Sequence, residues 1–129
     1  MSTEDNKRVV RRFVKEVLSE GNVNVMDELL APNYANPSMG ATNRDGFKAV
    51  VSGLKAAMPE RDFEIVNLVA EGDSVVLRGN FHWTFAGGKK VSGRVITFYR
   101  LANGKIVEDE PMSTPPLTDM LGGMMPPKS

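Results

Sequence analysis

The chain has 129 residues, and its 16 basic residues are balanced by 16 acidic ones, so the formal net charge is zero. This length suits one domain, and we expect residues 1–129 to form it. The balanced charge argues against nucleic acid or an anionic membrane surface as a partner. The absence of Cys excludes a disulfide framework, a thiolate zinc site and a Cys nucleophile. No apolar run reaches the length of a membrane span or a signal segment, so a cytoplasmic location is expected.

The N-terminal part of the chain predicts three helices. Each shows apolar residues at helical spacing and a Gly or Pro shortly after its end. Thr42 and Asp45 resemble a capping box at the start of the third helix. A loop is predicted at residues 34–40, between the second and third helices. The predicted helices span residues 4–20, 22–30 and 44–57.

From Asp62 onward the hydrophobic period changes to two, which predicts a meander of four antiparallel strands. The second strand alternates most clearly. Its odd-numbered positions are apolar or Gly, whereas its even-numbered positions include Arg78, Asn80 and His82. Successive side chains of a strand point to opposite faces, so this strand has one apolar face and one mostly polar face. The predicted strands span residues 62–70, 74–85, 89–101 and 105–112.

The segment 111–129 differs from the rest of the chain, since it holds five of the eight Pro and four of the eight Met. It is interpreted either as a floppy terminus or as a lid over a cavity, because Met favours adaptable apolar contacts. The chain has a single His and no metal-ligand spacing, so neither a metal nor another cofactor is expected.

The order of the predicted elements indicates an α+β fold, with helices on one face of a bent antiparallel sheet. Within residues 7–110 the chain reads VVRRFVKEVLSEGNVNVMDELLAPNYANP, DGFKAVVSGLKAAMP, NLVAEGDSVVLRGNFHWT and FYRLANGKIVED. These segments resemble the SnoaL-like polyketide cyclases of the nuclear-transport-factor-2-like superfamily. The resemblance implies a conical (cystatin-like) roll, in which three N-terminal helices pack on a curved antiparallel sheet. It also implies a homodimer formed through the outer face of the sheet.

The chain departs from catalytic relatives at several positions. Relatives of the ketosteroid isomerases carry an Asp base before a Pro in the loop after the second helix. Here Asn36 precedes Pro37, and the second acid of those isomerases aligns near Ile96. An amide has no site that takes up a proton near neutral pH, so isomerase chemistry of that type is disfavoured.

Relatives of limonene epoxide hydrolase use an Arg-x-Asp pair on a strand and an Asp on the last strand. Arg78 and Asn80 resemble that pair with an amide in place of the acid, and the last Asp aligns near Pro111. SnoaL-like members show His-Trp after GKIVE, where this chain has two acids beginning at Asp109. His82 is the only candidate to replace that imidazole.

The first functional hypothesis is a SnoaL-like cyclase, isomerase or hydrolase that binds a small apolar carbonyl compound in an enclosed pocket. His82 and Asp109 would transfer protons, and Arg78, Asn80 and Asn36 would polarise an oxygen. The remaining pocket wall would be apolar. It would comprise Phe13, Val17, Tyr34, Leu54, Ile96, Phe98 and Met112.

The second hypothesis is a ligand-binding or interaction module without chemistry, in which ancestral carboxylates have become amides. In that case Asp109 is a solvated residue near a strand end, and the polar row of the second strand is an ordinary wet sheet surface. The enzyme hypothesis requires that Arg78, Asn80, His82 and Asp109 converge in an enclosed cavity. A row that faces water or a partner chain contradicts that cluster.

Overall fold

Helices cover one face of a five-stranded sheet in the structure, a computed structural model that describes residues 2–114. This is the α+β arrangement predicted from the sequence. Most of the predicted lid, residues 115–129, lies outside the described residues. In chain order the elements are α1 (Thr3–Arg12), a π-helix (Phe13–Ser19), a 3-10 helix (Val23–Val25), α2 (Met26–Leu29), β1 (Leu30–Ala35), a second 3-10 helix (Pro37–Met39), α3 (Arg44–Ala57), β2 (Glu60–Glu71), β3 (Ser74–Thr84), β4 (Lys90–Ala102) and β5 (Lys105–Thr114).

The sheet has the order β1-β5-β4-β3-β2, so the four predicted meander strands are paired in chain order. The prediction omitted β1, which pairs in parallel with β5 and makes the sheet mixed rather than wholly antiparallel. Pro32 lies within β1 and weakens its strand signal. Pro donates no hydrogen bond to a ladder and is confined to edge strands, and β1 is an edge strand.

Side chains cap the starts of the long helices. Ser2 Oγ accepts from the Asp5 N–H at 3.0 Å, and Asp5 Oδ2 accepts from the Ser2 N–H at 3.2 Å, which is a capping box. At α3 the cap is Asn43, whose Oδ1 accepts from the Gly46 N–H at 2.7 Å. The cap therefore lies one residue after the predicted Thr42. None of the helices within residues 2–114 is both long and apolar enough to span a membrane.

The predicted first helix changes at Phe13 into a π-helix, whose last carbonyls need partners from outside the helix. Arg61 of β2 supplies them. Its Nε–H donates to Leu18 O at 2.8 Å, and an Nη2–H donates to Ser19 O at 3.3 Å. An Nη1–H donates to Met58 O, directly after α3, at 2.8 Å. One guanidinium thus joins the ends of two helices to the sheet.

The apolar face of β3 is the face that packs under the helices. Val75, Leu77, Phe81 and Trp83 are each at most 6% exposed. Four aromatic rings pack beneath the helix layer, with centroid separations from 4.9 to 6.3 Å. They belong to Phe13, Tyr34, Phe47 and Tyr99.

The outer face of the sheet carries four exposed apolar side chains. Their exposed fractions are 45% for Val66, 60% for Val69, 53% for Ile96 and 77% for Met112. This is the face through which the sequence predicts a homodimer, and the homodimer stays a prediction.

The cap at Asn43 predicts a measurable loss of stability when it is removed. Asn43→Ala leaves the Gly46 N–H without its acceptor, which lowers the free energy of unfolding by about 1 kcal/mol. Urea unfolding followed by circular dichroism measures the change. Thr42→Ala is the matched control, because Thr42 is exposed and does not cap α3. A larger loss in Thr42→Ala than in Asn43→Ala would contradict the observed cap.

Candidate functional site

A cavity of about 70 Å³ lies between the helix layer and the apolar face of the sheet. This is far below the ~300–1,000 Å³ of pockets for drug-sized ligands. The lining residues of the cavity are Leu18, Asn36, Met39, Phe47, Leu54, Met58, Arg61, Phe63, Phe81, Trp83, Val95, Thr97, Tyr99, Asp109 and Pro111.

Asp109 is the buried acid of this cavity. It is 4% exposed, and the Tyr34 hydroxyl donates a hydrogen bond to its Oδ2 at 2.7 Å. Burial raises the pKa of the Asp109 carboxyl to about 7, against hydrogen bonds from Tyr34 and Asn36 that lower it. A carboxyl group with this pKa exists in both protonation states near neutral pH, so it is able to take up or release a proton.

The turn after β1 holds Asn36 beside Tyr34. The Asn36 backbone pairs with Ala41 through hydrogen bonds of 2.8 and 3.0 Å, and its Oδ1 accepts from the Met39 N–H at 3.2 Å. Gly40 closes the turn at a φ of +76°, which favours glycine. The Asn36 Nδ2 lies 3.5 Å from Tyr34 Oη. The amide therefore stabilises the turn and also lies within the polar cluster of the cavity.

Tyr99 and Thr97 of β4 complete the polar cluster. Tyr99 pairs with Asp109 across the ladder and is 2% exposed, and Thr97 is 4% exposed. Burial, followed by the nearby Asp109 charge, raises the pKa of Tyr99 well above its ordinary value. Burial also raises the pKa of Tyr34, which is hydrogen-bonded to Asp109. Both phenols therefore keep their protons at neutral pH and remain hydrogen-bond donors.

The polar row of β3, predicted to be a pocket wall, lies on the outer face instead. Arg78 and His82 are exposed, and the His82 Nδ1 lies 2.9 Å from a Ser hydroxyl of β4. The Asn80 amide donates to a Glu carboxylate of β2 at 2.8 Å. These three residues do not converge with Asp109, because burying the apolar row is far more favourable than burying Arg and His. The predicted four-residue cluster is therefore not formed.

Three residues of the predicted apolar wall also lie outside the cavity. Ile96 and Met112 are 53% and 77% exposed on the outer face, and Phe98 is partly exposed there. Their neighbours Thr97 and Pro111 line the cavity. A shift of one residue along a strand reverses the face, which explains the error. The position aligned with the second isomerase acid, Ile96, thus lies outside the cavity.

The other predicted site residues lie in or beside the cavity. Asn36, Leu54 and Asp109 line it, and Tyr34 reaches it through its hydrogen bond to Asp109. Phe13 and Val17 are fully buried in the adjoining core.

Sequence reasoning missed the inward-facing polar residues of the cavity, Arg61, Thr97 and Tyr99. The available signal was the alternation of side chains along β4 and β5. Tyr99 pairs with Asp109, and Thr97 lies two residues before Tyr99 and therefore on the same face of the sheet. No group of three or more potential metal ligands occurs among residues 2–114.

Comparison with known proteins agrees with this fold. Residues 10–109 match the family model of the SnoaL-like domain. A candidate polyketide cyclase from Acidithiobacillus ferrooxidans is 28% identical with a TM-score of 0.75, over 88% of this chain and 91% of that chain. TsrD from Streptomyces laurentii is 20% identical with a TM-score of 0.80, over 95% and 98% of the two chains. A candidate SnoaL-like polyketide cyclase from Jannaschia sp. CCS1 is 22% identical with a TM-score of 0.78, over 97% and 95%. No curated protein sequence matches the chain.

The buried Asp109 predicts that stability falls as the pH rises from about 4 to about 7. Its pKa is about 7 in the folded chain and about 3.9 in an unfolded one, so the folded state binds the proton more tightly. The free energy of unfolding therefore falls by up to about 1.4 kcal/mol per pH unit within that window. The loss is absent below the window and complete above it. Urea unfolding at several pH values measures it.

Asp109→Asn removes this contribution. The difference in the free energy of unfolding between wild type and variant therefore reports Asp109 alone, because acids in salt bridges contribute equally to both proteins. Asp27 is such an acid, since its hydrogen bond with Lys48 lowers its pKa. Glu110→Gln is the control, because Glu110 is exposed on the same strand. A wild-type-minus-Asp109→Asn difference that does not vary with pH would rule out the raised pKa.

Proposed function

This chain belongs to the SnoaL-like domain family, and we propose that it binds a small, largely apolar carbonyl compound and transfers a proton through Asp109. The observation that carries the proposal is a buried carboxyl group, with a pKa of about 7, in an otherwise largely apolar cavity. Apolar cavities with a few polar groups are typical ligand sites.

Asp109 would act first as a base and then as an acid. As a carboxylate it takes a proton from the carbon beside the ligand carbonyl, and the C–H electron pair forms the C=C bond of an enolate. The Tyr34 hydroxyl stabilises the carboxylate by donating to it. The protonated Asp109 then returns the proton to the enolate at carbon or oxygen. A pKa near the working pH suits both steps.

The developing oxyanion needs hydrogen-bond donors. The Thr97 and Tyr99 hydroxyls line the cavity with Asp109 and are the donors that we propose for this role. His82 has no part in this mechanism, because it is exposed on the opposite face of the sheet. The similarity to a candidate polyketide cyclase supports carbonyl chemistry, since cyclisation of a polyketide joins an enolate carbon to a second carbonyl.

Deuterium exchange tests the proton transfer directly. We expect the protein to accelerate exchange of the protons beside the carbonyl of 2-hexanone in D₂O, followed by proton NMR. Asp109→Asn lowers the rate by about 100-fold or more, since general acid–base catalysis contributes ~10²–10⁴.

Two matched variants control this experiment. Glu110→Gln and His82→Ala keep the wild-type rate, because both side chains are exposed away from the cavity. An equal loss in His82→Ala and Asp109→Asn would contradict the mechanism and favour the predicted His–Asp pair. Binding of 2-hexanone without any exchange would favour the binding module without chemistry.

We also propose that two copies pair through the outer face of the sheet, since four apolar side chains are exposed there. Ile96 is 53% exposed on the central strand β4. Ile96→Glu places a charge in the middle of a symmetric interface, so we expect a monomer by sedimentation velocity where the wild type is a dimer. Ala56→Glu, exposed on α3, is the control and keeps the dimer. A wild-type monomer would contradict the pairing.

A further inference from the structure

A second polar part of the cavity lies away from Asp109, at the start of β2 and the end of β3. Arg61 and Trp83 are paired residues of the β2–β3 ladder, both line the cavity, and they are 9% and 6% exposed. Asp109 of β5 pairs with Tyr99 of β4, and Tyr99 pairs in turn with Val75 of β3. Val75 lies eight residues before Trp83 on the same strand. The two polar regions therefore belong to different parts of one cavity.

The indole of Trp83 is a buried donor without an acceptor. Its Nε1–H has no hydrogen-bond partner among the described residues. The ring is fixed by Phe81 at a centroid distance of 4.5 Å and by Phe63 at 6.1 Å. An unsatisfied buried donor destabilises a fold, so its presence on a cavity wall points to an acceptor on a ligand.

Arg61 has N–H donors that are not hydrogen-bonded, and no acidic side chain within residues 2–114 forms an ion pair with it. Three of its N–H groups donate to backbone carbonyls, and a guanidinium has five. Within residues 2–114 the ion pairs do not include Arg61. Burial lowers the pKa of the guanidinium, yet Arg remains charged at neutral pH. A buried cation of this kind is stabilised by an anion.

The guanidinium is held in place by its hydrogen bonds to three backbone carbonyls. Gly21 has a φ of +70°, and a Cβ added there would lie 2.8 Å from Arg61 Nη2. A larger residue at Gly21 would be strained by this φ and would also crowd the guanidinium. Arg61 is therefore pre-organised by backbone contacts, which lowers the entropic cost of binding a ligand group.

We propose that Arg61 and Trp83 together bind a carboxylate group of the ligand. The two free N–H groups of Arg61 and the Trp83 Nε1–H donate to the carboxylate oxygens, and the guanidinium neutralises the charge. This inference rests on the proposed function, and it narrows the ligand class to small oxo acids. Their carboxylate binds at Arg61, and their apolar chain follows the cavity towards the polar cluster at Asp109.

Titration of the ¹⁵N-labelled full chain with hexanoate and with 2-hexanone tests the carboxylate site. The sequence has one Trp, so the indole N–H of Trp83 gives a single resolved NMR signal. We expect hexanoate to move this signal downfield and to bind about tenfold more tightly than 2-hexanone, as a hydrogen bond to a charged group implies.

Trp83→Phe keeps an aromatic ring and removes only the Nε1–H donor. We expect it to weaken hexanoate binding by about tenfold and 2-hexanone binding by no more than about twofold. Arg61→Gln also releases three backbone carbonyls, so Trp83→Phe carries the test if Arg61→Gln fails to fold. Arg11→Gln, exposed on α1, is the control for overall charge and keeps the wild-type affinity for hexanoate.

The possible results separate the two proposals. If 2-hexanone binds in the cavity but hexanoate binds no more tightly and leaves the indole signal unmoved, the carboxylate site is overturned and the proposed function stands. If neither compound shifts the signals of cavity residues, the proposed function is overturned and the carboxylate site with it.

Discussion

The burial of one face of β3 decides where every other functional group lies. Each large apolar side chain stabilises the fold by about 1.5–3 kcal/mol when it is buried, and Val75, Leu77, Phe81 and Trp83 share that face. Turning the strand over would expose all four and bury Arg78 and His82, so no other orientation competes. The polar groups of the cavity therefore come from the elements around β3, namely β1 and the turn after it, β2, β4 and β5, and from Trp83 through its indole N–H.

Local signals were sufficient for most of the fold. The predicted third helix, residues 44–57, coincides with α3, and each predicted strand agrees with its observed bounds to within two residues. These elements show one clear period and end near Gly or Pro. By contrast, β1 is short, contains Pro32, and pairs with β5 from far along the chain. Its pairing depends on tertiary contacts, which a local pattern does not contain.

The site residues could be predicted only where the sequence shows which face of a strand points into the cavity. Asp109 lines the cavity, where the sequence had left open both a buried acid and a solvated residue near a strand end. On β4, however, the inward row contains Val95, Thr97 and Tyr99, and the outward row contains Ile96 and Phe98. Arg94 and Arg100 also lie on the outward row, so the alternation of the whole strand does distinguish the two faces, and placing Ile96 and Phe98 in the pocket overlooked that signal. The polar row of β3 was interpreted as a functional site because it is polar. The solvent-facing side of an antiparallel sheet is commonly polar without any functional role.

The buried Asp109 carboxyl couples occupancy of the cavity to the proton content of the protein, because its pKa lies near neutral pH. A ligand group that accepts a hydrogen bond from Asp109 favours the carboxylic acid, and a group that donates one favours the carboxylate. With a pKa of about 7, the first kind of ligand takes up a fraction of a proton from neutral buffer and the second kind releases one. The measured heat of binding would then depend on the ionisation enthalpy of the buffer. The sign of that dependence shows whether the ligand presents a hydrogen-bond acceptor or a donor to Asp109.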